Sequence, residues 1–286
     1  MQTLQAQRPA QTTSAPAGYL LHLADNALIL GQRNAEWCGH APTIEEDMSM
    51  ANNSLDLIGQ ARLLYQHVAE RMNSGVRATR SSAWPAGPIT EDTLAYFRDV
   101  PDFRNYTLLE LPHSPALVPM GVGDRDWATT IVRNFLYSAL MALVWERLQS
   151  AQDAQLAAIA AKSLKEVRYH LRHSRDWMVR LGDGTEASQA RMQGAVDHLL
   201  PYTAEFWAPS AMETEAVASG NGVDPSTVRA AWDELVDATL ADATLKRPPA
   251  AQHYVTQGKV GVHSEHLGYV LAEMQSLARA HPGATW

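Results

Sequence analysis

One cysteine, no excess of positive charge and no long apolar segment narrow the field before any motif is read. Cys38 is alone among 286 residues, so no internal disulfide can form. That usage fits the cytoplasm, and Cys38, beside Trp37 at the expected end of a helix, reads as a packing residue rather than a nucleophile. With 23 Lys and Arg against 31 Asp and Glu, the net charge of −8 argues against a general nucleic-acid binder. No run approaches the roughly 20 apolar residues that span a bilayer, so no membrane partner is expected. Walker-type loops and dinucleotide fingerprints are absent, and no Ser-His-Asp set can be assigned. Residues 1–17, rich in Gln, Thr, Ala and Pro, lack the apolar centre of a signal peptide and read as a disordered tail.

What is present is the punctuation of an all-α protein, with residues 18–286 read as a single helical domain. Helices are expected at about 18–37, 44–73, 126–150 and 154–181, followed by others at about 186–207, 225–245 and 263–280. Gly39 and Pro42 close the first. Thr43 with Glu46 reads as a capping box opening the second, and Asp224 before Pro225 as a cap and first turn. The stretch 74–125 is rich in proline and holds one short helical run near Glu91. Two long helices, a long crossover and two more joined by a tight turn are the connectivity of a ferritin-like four-helix bundle, with additional C-terminal helices packed outside it. Phe135 to Trp145 reads FLYSALMALVW, apolar all round except Ser138, and so marks a central, buried helix.

A di-iron bundle of that kind carries Glu-x-x-His on each of two helices, because residues three apart share a face. Here Glu166 is followed at that spacing by Tyr169, and the histidine comes one residue late, at His170. The first helix offers Asp25 and the second Asp56, with Gly59 where a histidine is required. The third has no acid between Asp126 and Glu146. Glu110-x-x-His113 is the one match to the motif, but Pro112 lies inside it. The chain reads as a bundle without its metal, binding no cofactor.

Other groupings stay open. Glu166, His170, His173 and Trp177 share a helix face and are either a remnant polar centre or a solvated stripe beside Lys162, Lys165, Arg168, Arg172 and Arg175. For His173 the stripe is the better reading. On the second helix, Asn52, Asn53, Asp56 and Gln60 oppose Ile44, Met48, Ala51, Leu55 and Ile58. Either the polar side is solvated, or it faces the bundle centre while the apolar side meets a partner. Periodicity does not decide between them. His263, Glu265 and His266 crowd together near the C-terminus without zincin spacing, as a helix start with interface histidines.

Several segments carry a resemblance: Gln32-Arg33 with Glu36 to Pro42, Leu55 to Leu57 with Gly59 to Arg62, Lys165-Glu166 with Arg168 to Arg172, Val223-Asp224-Pro225, and Glu265 to Gly268 with Ala272 to Gln275. Together they run almost end to end, and the chain resembles the C subunits of ring-1,2-phenylacetyl-CoA epoxidases, bacterial multicomponent monooxygenases. The resemblance implies a non-catalytic, ferritin-like structural subunit of an oxidoreductase complex in phenylacetate catabolism, inactive alone. It would pair with a catalytic A subunit holding the di-iron centre, alongside the other subunits. Asp25, Asp56, Glu166 and His170 would then be vestiges of a metal site. Contacts to phenylacetyl-CoA at a shared site would come from Asp102, Phe103, Arg104 and Asn105 and from Thr214, Glu215 and Ala216. Residues 74–88 read as an insertion against the family pattern. Two rivals remain: a divergent di-iron oxygenase using Tyr169 or His170 as a substituted ligand, and a helical module that binds CoA thioesters.

Overall fold

The helices assemble in two hairpins that close into a ferritin-like bundle, seen in a computed structural model that describes residues 14–75, 84–114, 125–249 and 255–284. Helices α1 (Ala17–Ala35) and α2 (Ile44–Asn73) form the first hairpin, and α5 (Trp127–Leu148) and α6 (Ala154–Gly182) the second. Between the hairpins the crossover carries α3 (Glu91–Tyr96) and α4 (Thr107–Glu110). After them come α7 (Glu186–Leu199), α8 (Ala204–Trp207), α9 (Ala211–Ala218), α10 (Ser226–Asp242) and α11 (Glu265–Ala280). Among the described residues the sole extended pairing is an isolated bridge between Gln257 and Val262.

Caps explain where most helices begin. The Asp126 carboxylate accepts the Thr129 N–H at 2.8 Å, and Asp153 accepts those of Gln155 and Leu156 at 3.1 Å. Each satisfies donors that an α-helix leaves without partners in its first turn. Asp224 likewise accepts the Ser226 N–H at 2.9 Å, just after Pro225. α5 is long and apolar enough by composition to cross a membrane, yet 83% of its apolar window is packed inside the protein. It is the core helix.

Four expectations need correction. Thr43 makes no side-chain cap, because Glu46, its would-be partner in a box, is drawn to His173 on α6. Cys38 is exposed, since α1 stops at Ala35 and the following turn sends Trp37 inward and Cys38 out. The helix expected over 186–207 is broken: Pro201 supplies no backbone N–H, and the chain passes through a 3-10 turn (Leu200–Thr203) into α8. The tail reading fails at its inner end. Ala15 is wholly buried and donates its N–H to Asp153 at 2.9 Å, so the anchored chain starts before α1, whereas residues 1–13 lie outside the described residues. Of the insertion at 74–88, residues 76–83 also lie outside them.

One close approach ties α6 to the C-terminal layer. A Cβ on Gly182 would stand 2.2 Å from the Ala243 carbonyl oxygen, and Thr244 closes the contact by donating its hydroxyl to the Gly182 carbonyl at 2.9 Å. Two backbones, not a flexible side chain, would have to part. Gly182→Ala is therefore expected to cost about 2–3 kcal/mol, read as a lower urea midpoint with an unchanged slope.

Candidate functional site

The facing sides of α2 and α6 meet in a polar seam. Gln60 donates to Glu166 at 2.9 Å, His170 Nε2 bonds Asp56 at 3.0 Å, and His173 Nε2 bonds Glu46 at 2.8 Å. Asn53 and Gln60 are buried, and Ser163 of α6 is wholly enclosed between the helices. The polar side of α2 thus faces the bundle. Met50, Leu57, Leu64 and Val68 still pack in the core, but the apolar residues opposite the seam are left in water: Ile44, Met48 and Leu55 are 73%, 64% and 66% exposed. Ala51 and Ile58 are half-buried at the edges, and Asn52 is the one exposed amide among them. His173 belongs to the seam rather than to a solvated stripe, because Glu46 and the stacked ring of Tyr169 enclose it.

Each seam carboxylate already has its own partner. Lys162 adds a second bond to Glu166, at 2.8 Å. Among the described residues no three His, Cys, Asp or Glu side chains converge as metal ligands. The buried groups left without partners in the seam are the Asn53 amide oxygen and the hydroxyls of Ser49 and Ser163, neutral oxygens poorly suited to iron. Tyr169 is 43% exposed and covers the edge of the seam with its ring, under the Arg172 guanidinium.

Asp25 lies elsewhere. Wholly buried on α1, it faces the crossover, where it accepts from Tyr65 Oη at 2.5 Å, from both terminal nitrogens of Arg98, and from the Arg104 N–H at 2.8 Å. Arg98 also stacks on Phe103, 4.3 Å from its ring centre. Of the four positions read as metal vestiges, the structure groups Asp56, Glu166 and His170 and leaves Asp25 in a separate charge network.

Two clusters escaped the reading of the sequence. In the first, Arg33 and Arg133 approach one another inside the core. Arg33 bonds Glu36 at 2.9 Å and the Glu110 carbonyl, and Arg133 bonds the Leu111 carbonyl. Burial, then the charge of Arg33, pushes the Arg133 pKa down to about 9. Against burial, His113 and Arg33 hold Glu36 down to about 2. His113 Nδ1 accepts from Trp37 at 3.1 Å and Arg133 at 2.7 Å, while Nε2–H donates to the Arg33 carbonyl at 2.8 Å. Its imidazole is therefore neutral, with burial and Arg133 pushing its pKa down to about 4. An arginine inside an apolar run, as Arg133 is, was the available signal. Across this cluster the Asn34 and Asn134 amides bond reciprocally at 2.8 and 2.9 Å, tying α1 to α5.

The second cluster absorbs Glu110. Its carboxylate accepts from His263 Nδ1 at 2.8 Å, the Ser264 N–H at 2.6 Å and Asn105 at 2.9 Å. Both His263 nitrogens face acceptors, the second being the Phe103 carbonyl at 3.0 Å, which requires the doubly protonated ring. Burial opposes that charge, but Glu110 overrides it and the His263 pKa is raised. Glu110 and His113 thus serve different networks on either side of Pro112.

His113 makes the core acid-labile. Between pH 6.5 and about 4 the unfolded imidazole binds a proton that the folded one does not. Stability from this site is complete above the unfolded value and is lost as the pH falls towards the folded one, by about 3 kcal/mol. Urea midpoints measured across this window should fall with acidification, and His113→Gln should flatten the slope.

The residues expected to touch a thioester occupy two segments. Phe103 and Asn105 are wholly buried and committed to Arg98 and Glu110, whereas Asp102 is exposed and Arg104 half-buried. In α9, Thr214 and Glu215 are exposed, and Ala216 is buried. Thr214 lines a cavity of about 370 Å3 with Trp207 and Asp224 that none of residues 102–105 reaches.

The sequence resembles those of known proteins along nearly its whole length. Residues 1–286 match the family described as Phenylacetic acid catabolic protein. The C subunit of the 1,2-phenylacetyl-CoA epoxidase of Escherichia coli (strain K12) is 43% identical over 268 residues, covering 94% of this chain and 98% of that protein. With both its length and its helical frame accounted for, the chain belongs to the phenylacetic acid catabolic protein family.

Proposed function

We propose that this chain is the non-catalytic subunit of a 1,2-phenylacetyl-CoA epoxidase, that it works in the cytoplasm, where a lone unpaired cysteine is at home, and that it pairs through α2 with a catalytic subunit. The observation that carries this reading is a second apolar stripe on α2: Met50, Leu57, Leu64 and Val68 pack in the core, yet Ile44, Met48 and Leu55 are left to solvent while Asn53 and Gln60 are buried. A surface helix of a self-sufficient protein ordinarily leaves its polar residues in water. A relative named as one subunit of an epoxidase supports a partner for that stripe.

The catalytic di-iron centre would then belong to the partner. Supporting this, the α2–α6 seam joins each carboxylate to a histidine, amide or lysine of its own. Asp25, Asp56, Glu166 and His170 stabilise the bundle in place of a metal. The exposed groups Asp102, Thr214 and Glu215 and the half-buried Arg104 would contribute to a shared phenylacetyl-CoA site, with Phe103, Asn105 and Ala216 shaping the backbone beneath them.

Co-expression with the catalytic subunit in iron-supplemented cells tests the reading. The complex should copurify with about two irons per pair, and this chain purified alone should carry none and turn over no substrate. About two irons bound to the isolated chain would overturn it, with Tyr169 and His170 the first ligands to substitute.

A further inference from the structure

Beside the Glu110–His263 pair, the crossover, the 3-10 corner and the start of α11 enclose an open-mouthed cavity of about 490 Å3. Its walls include Leu111, Tyr202 and Val262, and its polar groups include Thr107, Ser264 and His266. The two hydroxyls among them are idle. Thr107 is 4% exposed and its hydroxyl has no hydrogen-bond partner, and the buried hydroxyl of Ser264 has none either. Ser264 stands at the N-cap of α11, where a serine normally caps the helix, yet its side chain makes no cap. His266, 5% exposed, lines the same cavity beside these two hydroxyls. Leaving such groups unpaired costs about 1–3 kcal/mol each, which a folded protein tolerates where a ligand completes them.

The surrounding charges select the kind of ligand. Glu110 already meets the first turn of α11 through the Ser264 N–H, so the positive end of that helix is neutralised. Glu265 lies at the mouth, and Glu205 stands behind Thr107, whose N–H it accepts at 3.0 Å. His263 is committed to Glu110, and Lys259 to Glu213 at 2.8 Å. Burial and the charge of Arg33 keep His266 neutral. An added anion would meet carboxylates, and an added cation would find Glu110 and Glu205 already bonded, leaving only Glu265, which stands in water at the mouth. Two hydroxyls and a neutral imidazole, by contrast, each donate and accept.

We infer that this cavity is a binding site for a small neutral molecule presenting an amide group on an apolar body. The amide carbonyl and N–H pair with Thr107, Ser264 and His266, and the body lies against Leu111, Tyr202 and Val262. A volume of this size is ordinary for small-molecule sites. The site is independent of the subunit reading, since it lies wholly within this chain.

Titration of the full chain tests it with three probes built on one benzyl group: phenylacetamide, phenylacetate and ethylbenzene, followed by calorimetry and by the His266 imidazole resonances. Phenylacetamide should bind about tenfold more tightly than either of the others. Thr107→Val and His266→Phe should each weaken it about fivefold. Thr107→Val should leave the melting temperature unchanged or raised, because the hydroxyl it removes has no partner. Equal binding of ethylbenzene would reduce the cavity to an apolar cleft, and preference for phenylacetate would make it an anion site. Either result, or no saturable binding of phenylacetamide, or full affinity in both variants, overturns the inference.

Discussion

Asp25→Ala should cost about 3–5 kcal/mol, as the breaking of a buried ion pair does. Among the described residues, the side chain removed is the sole carboxylate bonded to the Arg98 guanidinium, in a site where Asp25 is wholly enclosed and Arg98 is 3% exposed. Arg98 keeps its bonds to the Leu94 carbonyl at 2.6 Å and the Asp102 carbonyl at 3.0 Å, but its charge loses its counterion. The Tyr65 hydroxyl and the Arg104 N–H lose their acceptor in the same step. The loss comes from leaving a buried charge and two donors unanswered, not from the attraction of an isolated pair. Thermal unfolding should show a midpoint lower by about 10 °C. Asp25→Leu combined with Arg98→Met removes both charges and should recover part of that loss, a coupling that a double-mutant cycle measures. If Asp25→Ala unfolds at the wild-type temperature, the network is not what anchors the crossover to α1.

The prominence of Asp25 shows how much of this molecule its sequence announces. The helix frame was legible because its signals are local: Asp126, Asp153 and Asp224 cap helices with donors two or three residues away. The misplaced histidine at 170 was legible for the same reason, since three-residue spacing fixes a helix face. Asp25 could be found as a lone acid among apolar residues, but not its partner, which lies 73 residues on in an irregular crossover. Thr43 and Glu46 had the right spacing for a capping box, and a histidine 127 residues from Glu46 took its carboxylate. For α2 the period was clear and the direction was not. An amphipathic helix has the same pattern whether its apolar side meets its own core or another chain.

That direction gives the second large effect. Leu55→Glu, and separately Met48→Glu, should each weaken pairing with the catalytic subunit about a hundredfold, about 2.7 kcal/mol, if the stripe is the centre of the contact. The same changes should leave the isolated chain within about 0.5 kcal/mol of wild type, because both side chains already stand in water. Affinity and stability therefore separate, which a residue buried in the fold could not arrange. Gly59 sharpens the separation. It continues the face of α2 beyond Leu55, and among the described residues nothing outside its own helix backbone and chain neighbours lies within 4 Å of where its Cβ would be. Gly59→Ala should stabilise the isolated helix by about 0.5–1 kcal/mol while weakening a partner that approaches its backbone closely. Leu277, 57% exposed on α11, is the control: Leu277→Glu should change neither quantity. Sedimentation of the co-expressed complex gives the affinities and urea titration of the separate chain gives the stabilities. Wild-type affinity in both Met48→Glu and Leu55→Glu would move the interface off α2 altogether.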